Sequence, residues 1–232
     1  MANTTGKKIK DVAIIGGCAS LIYLTIGDIS YRLSLSRGGL NSKLITDMVA
    51  KSAAKKPKDE YKEKLDSMID DGADWFMHQD TEKIIIEKKH RLSLYADLIR
   101  PDKPSNVYII CIHGYTSSPA NMGIYAKKYH ELGYNVLLPS LRGHGDSEQD
   151  FITMGWNDRL DVIEWINYIA ERHPESKIIL HGVSMGAATT MMATGEKLPE
   201  NVKAAIEDCG YTSAWDILGI RLTKSIKLPR FP

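Results

Sequence analysis

Gly182-Val183-Ser184-Met185-Gly186 is the segment of this chain best suited to covalent chemistry. A serine hydroxyl is a weak nucleophile until it is held in place and a base takes its proton. Ser184 has one glycine two places before it and another two places after it. An apolar run, Lys177 to Leu180, precedes the segment, and a helix-like run, MGAATTMMATGEK, follows it. G-x-S-x-G between a strand and a helix predicts a sharp turn that lifts the hydroxyl above the sheet edge. The glycines would relieve steric clash in that turn. The plainer alternative is an ordinary tight strand–helix connection. In the catalytic reading, the backbone N–H of Met185 opens the helix and is one donor to a developing oxyanion.

A tetrahedral intermediate needs a second donor. CIHGYTSSP, from residue 111, ends an apolar run and supplies a loop that could reach Ser184, with the Tyr115 N–H as the expected second donor. His113 lies at the strand end before that loop and is read as structural, with a catalytic role as the alternative. LRGHGDSE, residues 141 to 148, is a glycine-rich loop after the next strand. A phosphate cradle would also use such glycines, but the lysine and Ser/Thr pair of a P-loop does not follow. His144, flanked by glycines, is a second possible base.

The sequence from Thr81 onward dictates how these loops are carried. TEKIIIEKKH and RLSLYADLIRP read as two strands joined by a short turn, able to form an antiparallel edge. NVYIICIHG and YNVLLPS are near-continuous apolar runs, as in strands of a parallel sheet buried on both faces. NMGIYAKKYHELG reads as a helix stopped by Gly133. MGWNDRLDVIEWINYIAERHP reads as a long amphipathic helix with Val162, Ile163, Ile166 and Ile169 on one stripe. KIILHG and VKAAIEDCG are further strands, and a helix begins at SAWDIL. The alternation predicts an α/β fold with a mainly parallel sheet and helices on both faces.

With 232 residues, 43% of them apolar, the chain suffices for one sizeable core plus a small appendage. A net charge of +1 gives no basic footprint for nucleic acid. Cys18, Cys111 and Cys209 show no C-x-x-C or metal-like spacing, and acyl transfer at Ser184 calls for neither a metal nor an organic cofactor. Lys7, Lys8 and Lys10 precede fifteen uncharged residues, Val12 to Ile26. As a helix that run is about 22 Å long, against a hydrocarbon core of ~30 Å. A short membrane anchor over residues 1–35 is the expectation, with the domain that follows outside the cell membrane. A cleaved signal peptide and a buried element of the soluble domain are the alternatives. Residues 36–80 read as a helical extension broken by KKPK, and 81–232 as the core domain.

The three loops together, in this order, resemble the α/β-hydrolase family. The likeness covers about residues 81–220 and is nearest to the bacterial branch similar to serine aminopeptidases and monoacylglycerol lipases. It rests on His113-Gly114-Tyr115, Arg142 to Ser147, and Gly182 to Gly186. It implies an acyl-enzyme hydrolase of an ester or amide, a small-molecule, lipid or peptide substrate, and a triad in the order Ser, acid, His. The chain departs from that order. Its histidines are His78, His90, His113, His130, His144, His173 and His181, and none follows Ser184. Asp208, ending AAIED, is either the acid in an alternative location or a structural aspartate organising DCGYTS. The expectation is therefore a serine hydrolase that stops before its usual acid and histidine, and so is inactive as it stands. The alternative is a non-catalytic binding protein on the same scaffold.

Overall fold

The structure is a computed structural model that describes residues 59–88 and 92–217, together with 219–220 and scattered positions between 24 and 37. The chain divides into two units, residues 1–56 and 57–232. The expected anchor, Val12 to Ile26, and the helical run NSKLITDMVAKSA lie almost wholly outside the described residues. Among the described residues no helix is long and apolar enough to cross a membrane.

In the second unit α1 spans Glu60–Met77, entered from Asp59, whose carboxylate accepts the Tyr61 N–H at 3.1 Å. Glu60 and Glu63 in the first turn suit the positive end of the helix dipole. Strands β1 (Glu82–Lys88) and β2 (Leu92–Ile99) pair antiparallel, as their sequences predict. Then follow β3 (Val107–Ile112), α2 (Gly123–Glu131), β4 (Asn135–Ser140), α3 (Asp158–Arg172), β5 (Lys177–Val183), α4 (Met185–Thr194) and β6 (Val202–Asp208). The sheet order is β1-β2-β4-β3-β5-β6. β2 runs antiparallel to β4, and the last four strands are parallel to one another.

This order decides where a site belongs. From β3 the chain steps through α2 to β4 on one side, then through α3 to β5 on the other. The crossovers leave β3 in opposite directions, so the topological switch point, where open α/β sheets bind ligands, lies at the carboxyl ends of β3 and β5. Ile109 and Cys111 face one core, closed by Phe76 of α1 and by Met122 and Ala126 around the start of α2. Tyr108 points to the opposite face and stacks on His173 at the end of α3. That two-faced burial is what the unbroken apolar runs of β3 and β4 predict.

Two sequence expectations are corrected in α3. The helix begins at Asp158 rather than near Met154, because Met154 and Gly155 hold positive φ values of 51° and 92°. Asp158 fixes that turn by accepting the Gly155 N–H at 2.9 Å and the Thr153 hydroxyl at 2.7 Å. The buried stripe is Val162, Trp165, Ile166 and Ile169, with Ile163 only half-buried. Trp165 lies three residues after Val162, and its larger surface takes the core position.

Candidate active site

Between the last residue of β5, Val183, and the first of α4, Met185, only Ser184 makes the turn. Its φ is 56° and its ψ −112°, a conformation costing an L-residue on the order of 1–3 kcal/mol. Neighbouring backbone holds it there. The Ser184 N–H donates to the Asp208 carbonyl at 2.8 Å, and its own carbonyl accepts the Ala188 N–H at 3.0 Å. The flanking glycines are needed for space. A Cβ on Gly182 would overlap the Gly186 carbonyl oxygen, and one on Gly186 would overlap the Ile112 carbonyl oxygen. Only glycine at both positions lets α4 lie this close to β5 and β3.

The loop after β3 closes on this turn. A Cβ on Gly114 would stand 3.4 Å from the Ser184 Cβ and 3.9 Å from its Oγ. Ser184 itself is half-buried. Met185 sits at the first helical position, where its N–H has no intrahelical acceptor. Ser117 closes the loop by donating its N–H to Gly114 O at 3.2 Å. Gly114, next to Tyr115, and Met185 therefore flank Ser184 from two chain segments, the loop after β3 and the start of α4.

The two tempting histidines are occupied by backbone. His113 is fully buried; its Nε2 accepts the Leu141 N–H at 3.1 Å, and its Nδ1 donates to Gly114 O at 2.9 Å. An amide can only donate, so Nε2 must be unprotonated and Nδ1 carries the hydrogen. Burial, then the nearby His144, push its pKa down to about 3, partly offset by the Gly114 bond. His144 repeats the arrangement: Nε2 accepts the Thr116 N–H at 3.2 Å, and Nδ1 meets Arg142 O at 3.1 Å. The rings meet edge to face, with centroids 4.9 Å apart. Neither ring has a nitrogen left for the serine. Among the described residues no side chain hydrogen-bonds the Ser184 hydroxyl.

Asp208 ends β6, one strand beyond the serine. Its Oδ2 accepts the Tyr125 hydroxyl at 2.9 Å, tying β6 to α2. Burial and that bond push the Tyr125 phenol up to about 12. Tyr125 also packs edge-on to His181, which is hydrogen-bonded through Nδ1 to the Tyr129 hydroxyl at 2.9 Å. Burial lowers the His181 pKa.

Sequence reasoning missed this network, because Tyr125 and Asp208 are 83 residues apart. It also missed what secures the 141–148 loop. Arg142 donates two bonds of 2.6 Å to Asp161, both residues buried. Ser147 donates to Ser140 O at 2.6 Å and accepts the Tyr95 N–H at 3.1 Å. The motif carrying Arg142 and Ser147 was visible; their partners on α3 and β2 were not. A cleft lined by Thr81, Glu82, Arg100 and His130 lies at the other end of the sheet. It includes none of the residues around Ser184, and the strand-end geometry is the stronger guide to chemistry.

The switch point at the strand ends thus carries a strained serine between β5 and α4 and a backbone loop beside it. The family model for the alpha/beta hydrolase fold matches residues 107–225, half of the chain, and the chain belongs to that family. It is similar to the uncharacterized protein YqkD of Bacillus subtilis, 28% identical over 158 residues. That match covers 68% of this chain and 52% of the relative. A thermostable monoacylglycerol lipase from a Bacillus species is 31% identical over 90 residues, 37% of this chain and 34% of the lipase. Among solved structures, a Pyrococcus furiosus esterase superposes with a TM-score of 0.57 at 28% identity. That superposition covers 67% of this chain and 60% of the esterase. The chain thus spans about half the length of the Bacillus subtilis relative.

Proposed function

We propose that the protein is a serine hydrolase that cleaves a carboxylic ester or amide through an acyl-enzyme, with Ser184 as nucleophile. The observation carrying this reading is the strained φ of 56° at Ser184, on a one-residue turn with Gly114 packed against it. Backbone strain at a half-buried serine has no packing benefit, whereas a fixed hydroxyl above the sheet has a chemical one. In the reaction, Ser184 Oγ attacks the carbonyl carbon while a base removes its proton. The N–H groups of Met185 and Tyr115 hold the oxyanion. The leaving group departs with a proton, and water then releases the acyl group.

Both described histidines near Ser184 are bound to backbone, so the base in this reading lies outside the described residues. The greater length of the relatives supports that assignment. Asp208 is the acid available within the chain, with one oxygen fixed by Tyr125 and the residue otherwise exposed. The substrate is a small or lipid ester, by likeness to the Bacillus lipase and the Pyrococcus esterase. Residues 1–35 anchor the protein to the membrane, and fractionation of intact and 36-onward chains tests this; equal solubility of the two would refute it.

The central test uses the chain extended through its natural stop codon, beside the 232-residue chain. A fluorophosphonate is expected to label the extended protein at Ser184, and Ser184→Ala to abolish labelling and turnover of p-nitrophenyl butyrate. The 232-residue chain is expected to turn over far more slowly. Equal labelling of the alanine variant would refute the nucleophile. Equal kcat/KM of the two chains would refute the missing base. A folded, inactive extended chain would favour a binding protein on this scaffold.

A further inference from the structure

We propose that His144 is a positioning residue for the oxyanion hole: it accepts the Thr116 N–H and thereby fixes the peptide groups on either side of Tyr115. This rests on the serine-hydrolase reading above. Thr116 is a β-branched residue at φ 58°, in the left-handed region that such residues avoid. A conformation of that kind persists only where bonds from outside the loop hold it. The outside bond here is the 3.2 Å contact from Thr116 N to His144 Nε2, made across 28 residues of sequence. Inside the loop, the Thr116 hydroxyl donates to Tyr115 O at 2.7 Å. Both bonds act on the Tyr115–Thr116 peptide, and its orientation sets the dihedrals of Tyr115. Those dihedrals aim the preceding N–H, the one assigned to the oxyanion.

His144 is itself firmly founded. Its Nδ1 meets Arg142 O at 3.1 Å, and the Arg142 guanidinium is held in bidentate fashion by Asp161 of α3. The ring is buried and lies edge-on to His113, which ties the same two loops together through Leu141 and Gly114. The support therefore runs from α3 through Arg142 and His144 to Thr116. It also accounts for a histidine within the RGHG loop that does no proton transfer. A phenylalanine there would fill the space but offer Thr116 no acceptor. Glutamine reaches as far as Nε2 and carries an acceptor oxygen; alanine does neither.

The test compares wild type, His144→Ala and His144→Gln in the extended chain, with Ser184→Ala as the reference for the underlying reading. Oxyanion contacts strengthen in the transition state, so His144→Ala is expected to lower kcat about tenfold to a hundredfold with KM nearly unchanged. His144→Gln is expected to recover most of that loss. Hydrogen exchange of the Thr116 amide is expected to speed up at least about tenfold in the alanine variant and to return towards wild type with glutamine. An unchanged kcat, or an unchanged Thr116 exchange rate, in folded His144→Ala would overturn the proposal while leaving Ser184 as nucleophile. Retained turnover in Ser184→Ala would overturn the hydrolase reading, and the proposal with it. Should His144→Ala fail to fold, nitrogen-15 spectra of the wild type decide. A protonated Nε2 on His144, or no scalar coupling from it to the Thr116 amide, would overturn the proposal.

Discussion

Acid is expected to destabilise this fold through His113. The side chain is fully buried, and its pKa lies near 3 in the folded protein against 6.5 for a free histidine. Burial is the main cause, since a charged imidazolium there would lose its hydration, and His144 nearby adds to it. Below pH 6.5 the unfolded chain takes up a proton that the folded chain refuses. The stabilising contribution is thus complete above 6.5, falls as pH falls, and is fully lost near pH 3. At pH 5 the gap is one and a half units, at about 1.4 kcal/mol each, or about 2 kcal/mol. For a unit of this size that lowers Tm by roughly 4–8 °C. The assay is urea unfolding of wild type and His113→Asn at pH 7 and pH 5. Asparagine can keep the bond to Gly114 O but leaves the Leu141 N–H unpaired, so the variant is less stable at both pH values. Its loss between pH 7 and pH 5 is nonetheless expected to be about 2 kcal/mol smaller than that of wild type. His181, whose pKa burial also lowers, acts in the same direction but is common to both proteins. Identical pH dependence in the two would refute the reasoning, as would a wild-type His113 signal titrating near pH 6.

Arg142→Met strands the Asp161 carboxylate in the interior and is expected to cost about 3–5 kcal/mol, much of it regained in Arg142→Met/Asp161→Leu; denaturation giving equal losses for both would count against the buried pair. Tyr115→Phe is expected to keep most activity in the extended chain, whereas Tyr115→Pro removes the donor and costs about 2.7–4 kcal/mol of transition-state stabilisation; an unchanged kcat in a folded proline variant would exclude the Tyr115 N–H. Cys209 is exposed, while burial raises the thiol pKa of the buried Cys111. Maleimide followed by peptide mapping is therefore expected to find Cys209 modified at once and Cys111 only after unfolding; prompt modification of Cys111 would contradict the packing of β3.

The sequence by itself determined the order and type of the strands and helices in the described core. Period-two and unbroken apolar runs are local signals, and β3, β4 and β5 carry them within six or seven residues each. It also marked Ser184, because a strand-to-helix turn with glycine at both flanks is a local requirement. The start of α3 was misjudged, since left-handed backbone at Met154 leaves no mark in hydrophobic periodicity. Trp165 was passed over because aliphatic spacing alone does not say which residue is large enough to hold the core.

Only the tertiary structure decided what the polar residues do. His113 was read from the sequence as structural, but a catalytic role for it and for His144 stayed open as an alternative that nothing in their neighbours along the chain excludes. The exclusion comes from backbone amides of Leu141 and Thr116, each 28 residues away, which occupy the very nitrogens a base would use. In the same way Tyr125 of α2 meets Asp208 at the end of β6, and Arg142 after β4 meets Asp161 of α3, only because the fold packs those helices against the sheet. A hydrogen bond needs both partners within about 3 Å, and for residues far apart in sequence the fold alone sets that distance.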